Sequence, residues 1–416
     1  MNVASRNTEL MRIAVKAMKR KRVWKEYNSG RCSKRTKARN RIRDRQYALN
    51  TMADMTDFEF QRMFRLSRAA FAKLLEKIRP DIKRCDFRGI ASSGSAISDV
   101  AALGASLRFL AGGSYLDISA FFGLDPANFF NKRYVIWRTL DAINANLELG
   151  FSLDPDYLRR TAQEFASYSN EKLKHCVMAI DGWVCKTRMP TKKEVGQSIN
   201  TFRNRKCCWA IMCLAGCDAR CRFNLFCAKW SGGTHDHLAW ETCALKKVIE
   251  ERLPPEYYVI GDEAFVCTQN FLIPWSGGNL GPWKDSFNYH LSSMRQCIER
   301  AFGMLTRRWG IFWRPLNCAY RRWSQICMVA AKLHNFCIDE NESMPTKRFQ
   351  KDVHEGDSWE VVMNEEDKSQ LTAEERNELR ASGKRRENLT KKLQEDGCLR
   401  PLHARENSRA GTHAVE

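Results

Sequence analysis

The sequence contains no run approaching the roughly 20 apolar residues that a bilayer-spanning helix needs, and its first residues carry charge where a secretory leader needs an apolar stretch. The expectation is an intracellular protein without a membrane partner. No CxxC pair occurs among the 17 cysteines, and that number is odd. A disulfide framework is therefore not expected. Cys207, Cys208, Cys213, Cys217, Cys221 and Cys227 crowd one region, but their spacing fits no standard zinc arrangement, so they read as small apolar residues of buried strands. Repeats of solenoid period are missing as well. Acidic residues are scarce at the start of the chain: the first 50 residues hold 16 Lys or Arg against three acids, a balance of +13 out of a net +21.

That excess of positive charge calls for a polyanion. DNA or RNA comes first, because neutralised phosphates release counterions, and an acidic membrane surface comes second. With 44% hydrophobic and 11% aromatic residues the composition is globular, and 416 residues suffice for two or three structural units. Lys19, Arg20, Lys21 and Arg22, followed by the cluster from Arg31 to Arg45, resemble a nuclear-import signal merging into a nucleic-acid-binding arm. A solvated tail with no partner is the competing reading. The organisation expected is a basic arm over 1–50, a helical region over 51–150, an α/β core over 151–340 and a polar tail over 341–416. Thr372 and Glu375 carry a capping-box signature for one helix in that tail, continuing to about Leu393.

Apolar residues recur at three- and four-residue spacing from Phe58 to Ile82, which predicts helix ending at Pro80. A second helix is expected over Asp99 to Leu110, stopping at Gly112 and Gly113. Next, Tyr115 to Phe122 predicts a short helix that turns at Gly123. A further helix is expected to start with Asp125 as N-cap and Pro126 at its first position. This is helix-turn-helix grammar, with Asn128, Asn131, Lys132 and Arg133 placed to face a DNA groove. Packing within a bundle that touches no nucleic acid explains the same pattern.

After Gly150 the pattern turns strand-like. His175 to Val184 is an apolar run containing Asp181, as in a strand buried on both faces. Cys207 to Leu214 and Cys221 to Trp230 read as a hairpin, and Tyr257 to Ile260 as a fourth strand that Gly261 and Asp262 close. A helix over Asn288 to Trp309 carries Glu299, and a last apolar helix spans Ser324 to Ile338. Asp181, Asp262 and Glu299 thus stand on a strand, a strand end and the following helix, the element order of an RNase H-like mixed sheet flanked by helices. A carboxylate inside an apolar strand is costly unless something compensates it. Three such groups can hold two divalent ions, Mg²⁺ or Mn²⁺, and a pair of ions about 4 Å apart clamps both oxygens of an in-line displacement at phosphorus.

From Phe58 to Ile338 the chain resembles the PIF/Harbinger-type DDE transposases and the domesticated nucleases derived from them. The resemblance rests on FRLSRAAFAKLLEKIRP, LRFLAGGSYLDISAFFGL, AIDGW, NRK at Asn204 to Lys206, GGTHDH at Gly232 to His237, GDEAF at Gly261 to Phe265, FNYHLSSMRQCIERAFGMLTRRW and AAKLHNF, in that order. It implies that Asp181, Asp262 and Glu299 are the metal-binding catalytic triad. His235 and Asp236 become auxiliary residues near metal or DNA, a loop-stabilising cap being the alternative. The resemblance also implies a separate Myb-like DNA-binding partner. Trp183 departs from the family pattern, where a small or hydroxylated residue follows the Asp-Gly. His334 and Asn335 sit on an apolar helix and read as packing residues.

The function expected is a metal-dependent DNA endonuclease that cuts transposon ends and transfers the 3′-hydroxyl to target DNA, acting as a homo-oligomer on double-stranded DNA. A domesticated DNA-binding protein without transposition activity is the alternative, and an RNA-cleaving RNase H-type enzyme a remoter one. The helical region ahead of the core disfavours the last, because RNA duplexes hide their major groove from helices.

Overall fold

The computed structural model describes residues 44–82, 96–131, 134–196, 198–278, 280–343 and 373–401, with the backbone alone over 373–383. The chain divides into two compact units, one up to Asn146 and one from Leu147. Lys19, Arg20, Lys21, Arg22, Lys132, Arg133 and the Thr372 cap lie outside the described residues.

The first unit is helical: α1 (Gln46–Asp54), α2 (Asp57–Phe64), α3 (Arg68–Ile82), α4 (Asp99–Leu110), α5 (Tyr115–Phe121) and α6 (Val135–Asn146). The end of the expected basic arm is thus already helix, and Arg45 is buried with its Nε donating to the Gly123 carbonyl at 3.3 Å. The apolar run from Phe58 is two helices, because Thr56 and Glu59 form a capping box, Arg65 turns left-handed at φ 65°, and the Ser67 hydroxyl caps the second helix. Pro80 lies inside the last turn of α3 instead of ending it, since a missing N–H there forfeits a single bond. Phe60, Phe64, Phe71 and Phe122 interlock at centroid distances of 4.7 to 6.4 Å.

The helix expected from Pro126 is not formed. Asp125 does cap, its Oδ1 accepting the Ala127 N–H at 3.3 Å, yet only one 3₁₀ turn over Pro126–Asn128 follows. The next α-helix begins at Val135. Burial decides this: Phe129 is fully buried, edge-on to Phe109 at 5.7 Å, and the Asp125 N–H donates to the Tyr134 hydroxyl at 2.5 Å. The chain folds back to seat that ring, so Asn128 and Asn131 sit exposed on an irregular turn, with the Asn128 amide bonded to Asp125.

The second unit is the α/β core. Its helix α7 (Pro155–Tyr168) was not expected from the sequence; Asp154 caps it and Pro155 occupies its first position. The strands are β1 (Cys176–Lys186), β2 (Ala210–Cys217), β3 (Phe223–Ser231), β4 (Tyr258–Ile260) and β5 (Phe271–Leu272), with the short helices α8 (Lys192–Val195), α9 (Asp236–Glu241) and α10 (Ala244–Arg252) between them. The five-stranded sheet runs β3-β2-β1-β4-β5; β1 is antiparallel to β2 and parallel to β4. This is the mixed, helix-flanked RNase H-like sheet that the order of elements implied. The two-residue strand β5 is too short to leave a pattern in the sequence.

Helix α11 (Pro282–Arg308) starts six residues earlier than its apolar stripe indicated and packs on β1 and β2. Helix α12 (Trp323–Asp339) covers β3. There Asn335 accepts the Phe223 N–H at 2.8 Å and donates to the Phe223 carbonyl at 2.7 Å, and His334 Nε2 meets the Cys221 carbonyl at 2.8 Å. Both residues are buried packing groups, as expected. Helix α13 (Ala373–Glu395) belongs to the core: Arg386 lies 3.8 Å above the Trp275 ring, and Thr390 accepts the Trp275 indole N–H at 3.0 Å. Of the six cysteines read as strand packing, Cys213, Cys217 and Cys221 are buried, Cys208 and Cys227 are partly buried and Cys207 is exposed; every described cysteine is a free thiol.

Candidate active site

The register of the sheet brings two acids together. Ala179 on β1 pairs with Ile260 on β4 in parallel, so Asp181 and Asp262, each two residues further along, emerge side by side. The third acid is Asp236, at the first position of α9. One carboxylate oxygen from each of Asp181, Asp236 and Asp262 lies within 4.8 Å of the others. Gly182 makes this approach possible, because a Cβ at that position would overlap the Asp236 carboxylate. Gly261 has a similar role beside Asp262, where a Cβ would meet the rings of Phe271 and Phe265.

The electrostatics follow from the crowding. Burial first, and the Asp262 charge second, push the Asp181 carboxyl up to about 7, although Arg295 and the Gly182 N–H pull the other way. Asp236 is pushed up to about 6 by burial and Asp262, against the nearby Arg205. Asp262 is raised by burial despite Arg295 and a hydrogen bond from the Ala264 N–H at 3.0 Å. Three half-buried carboxylates that disfavour one another's charge fit a cation, and a set of oxygen donors without His or Cys fits a hard ion such as Mg²⁺ or Mn²⁺ better than zinc.

Glu299 stands apart from this trio. It lies exposed on α11, and its Oε1 accepts from Arg295 Nη2 at 2.8 Å, while Arg295 Nη1 donates to Asp181 Oδ2 at 3.2 Å. The guanidinium thus bridges the exposed glutamate and the half-buried aspartate. His235 occupies the N-cap position of α9 without a side-chain capping bond; its imidazole contacts Arg205 instead, so the cap reading fails for the side chain. Trp183 fills the layer between sheet and helix, stacked on Phe302 at 6.1 Å and edge-on to Phe312 at 5.1 Å. That packing fixes α11 one turn from Glu299.

Residues 180–335 match the family model of the DDE superfamily endonucleases. The matched segment contains all the acids just described, Arg205 and Arg295, and ends at Asn335. No curated protein and no solved structure matches the chain. The similarity implies nuclease chemistry on DNA with a divalent metal, and the aspartate cluster is a group of carboxylates close enough together to hold one.

Two of the expected triad, Asp181 and Asp262, are brought together. Asp236, expected only as auxiliary, completes the cluster, and Glu299 is tied to Arg295. Sequence reasoning did not single out Arg295 and Arg205. The one signal for Arg295 is its i,i+4 spacing to Glu299, which on a helix surface is a common ion-pair spacing.

Proposed function

We propose that this protein is a metal-dependent DNA endonuclease of the transposase type. The observation that carries the reading is the convergence of the Asp181, Asp236 and Asp262 carboxylates inside the segment similar to DDE endonucleases. Asp181 and Asp262 hold Mg²⁺ or Mn²⁺, with Asp236 as a third oxygen donor and Glu299 as the outer acid. When bound, the metal supplies charge neutralisation at phosphorus and a lowered pKa for the attacking water. The chain's residues do the rest. Gly182 and Gly261 give the acids their approach, Trp183 fixes the helix that carries Glu299, and Arg205, in contact with His235, offers a cationic hydrogen-bond donor for a backbone phosphate beside Asp236.

The order of motifs favours the PIF/Harbinger-type transposases within that class. On this reading the enzyme cuts transposon ends and transfers the freed 3′-hydroxyl to target DNA. It works as a homo-oligomer in the nucleus, with a Myb-like protein as DNA-binding partner. Residues 1–50, with Lys19, Arg20, Lys21 and Arg22, supply non-specific affinity and nuclear import; deleting them should flatten the salt dependence of DNA binding. The test of the activity is nicking of supercoiled plasmid in Mg²⁺ or Mn²⁺ by the wild type and by Asp262→Asn. Cleavage is expected in the wild type, abolished by chelation and by the substitution. DNA binding without metal-dependent cleavage in either protein would favour the domesticated, binding-only alternative.

A further inference from the structure

Among the described residues, Arg295 is the one cationic side chain with a direct ion pair to the acid cluster. It sits on α11, half-buried, and is bonded at once to Asp181 Oδ2 at 3.2 Å and Glu299 Oε1 at 2.8 Å. It also stabilises the charged form of Asp262. Its two partners differ in kind. Glu299 is exposed and one helical turn away, a pair that contributes little by itself. Asp181 is largely buried, and leaving its charge unpaired is costly. The ion pair to Asp181 therefore matters most, and it puts a positive group on one oxygen of a carboxylate that a metal needs.

We propose that the Arg295 guanidinium is a stand-in cation: it neutralises Asp181 while no divalent ion is bound, holds Glu299 away from the three aspartates, and is displaced when metal enters. This rests on the metal-site reading above. A guanidinium and a divalent ion on the same carboxylate stand a few ångströms apart, and like charges at that distance repel strongly outside bulk water, so each weakens the other's hold on Asp181. Metal binding is then an exchange of one cation for another, and its apparent affinity includes the cost of breaking two charge-assisted hydrogen bonds. Displacement also releases Glu299, the only acid of the expected triad outside the cluster. Arg295 is in this sense a positioning residue, acting on metal loading through Asp181 and Glu299.

A role that merely supports the fold predicts the opposite response to substitution. If Arg295 only held α11 against the sheet, removing it would loosen the site and weaken metal binding. If it is a stand-in, removing it opens the site. The experiment is calorimetric titration of Mn²⁺ into the full-length wild type, Arg295→Gln, Arg295→Lys and Asp262→Asn at fixed pH and salt, with thermal melts of each protein with and without Mn²⁺. Arg295→Gln is expected to bind Mn²⁺ about tenfold tighter, equivalent to roughly 1.4 kcal/mol, and to melt lower than wild type without metal but recover with it. Arg295→Lys, which keeps the charge but loses the fork, should fall between the two. Unchanged or weaker Mn²⁺ binding in folded Arg295→Gln, with Asp262→Asn still abolishing it, overturns the stand-in and leaves the metal site standing. Should Arg295→Gln fail to fold, Arg295→Lys binding no tighter than wild type overturns it equally. Mn²⁺ binding in none of the proteins overturns the metal site and the stand-in together.

Discussion

The end of the sheet where Asp181 and Asp262 emerge and the turn after Asp125 were both read from short motifs, and they behave differently. At the sheet end, two acids 81 positions apart become neighbours because the β1–β4 register places Ala179 against Ile260. Nothing local can shift one without breaking a ladder of backbone bonds. At the turn, the local signals were all present and the cap was made, yet a single buried ring, Phe129, diverted the chain before a second turn of helix could form. A motif fixed by long-range pairing is thus a firmer guide to a site than one fixed by capping, which contributes only about 1 kcal/mol and yields to core burial.

The largest expected effect is at the sheet end. Asp181→Ala should lower metal-dependent DNA cleavage by about a thousandfold or more while changing DNA affinity less than about threefold, because the acid holds metal and not the duplex. Gel-shift and nicking assays on the same preparation check both halves. Gly182→Ala comes next. Its added methyl must displace the Asp236 carboxylate, and cleavage should fall about 10- to 100-fold, the range for disturbing groups that orient metal ligands. Activity at wild-type level in Gly182→Ala would remove Asp236 from the site and leave Asp181 with Asp262 alone.

Stability against pH sharpens the comparison further. Asp181 and Asp236 have folded-state pKa values raised above those of the unfolded chain, to about 7 and about 6. A raised carboxyl contributes stability that is fully present below the unfolded value, near 4, and is lost as pH rises through the folded value. Without metal, the melting temperature of the core should therefore fall between pH 4 and 7 on account of these two groups, and Asp181→Asn should melt several degrees higher than wild type at pH 8 but not at pH 4.5. Metal reverses the sign, since it binds the ionised form, so Mn²⁺ affinity should rise from pH 5.5 to 7.5. Melts and titrations across that range measure both.

Much of the core was legible in the sequence because its strands are continuous apolar runs and its long helices have clear stripes. Asp181 and Asp262 stood out as acids inside or just after such runs. Helix α7 was missed although Asp154 and Pro155 mark its start and Leu158, Ala162, Phe165 and Ala166 lie at helical spacing, whereas β5 was hidden because two residues carry no period. Asp236 could be flagged only by its motif, since its place depends on the absent side chain of Gly182 across the sheet. Arg295 was hidden for another reason: an arginine four residues from a glutamate on a helix is an ordinary surface pair until the strand behind it supplies a buried partner.

Smaller effects test the packing readings. Asn335→Ala removes both hydrogen bonds to Phe223 and leaves buried backbone groups unpaired, so it should cost about 2 to 3 kcal/mol in denaturant unfolding without touching metal affinity. Asn131→Ala, on the exposed turn, should change the ratio of specific to random-sequence DNA affinity less than about twofold. A base contact would be worth about 1 to 3 kcal/mol of discrimination, and a loss of that size would restore a groove-reading role to the turn.

The most direct measurement is calorimetric titration of Mn²⁺ into the wild-type protein and into Asp181→Ala at pH 7.5, beside melts showing both to be folded. The trio of aspartates predicts saturable binding in the wild type and its loss in the variant. Equal stoichiometry and affinity in the two proteins would contradict the assignment of this cluster as the metal centre.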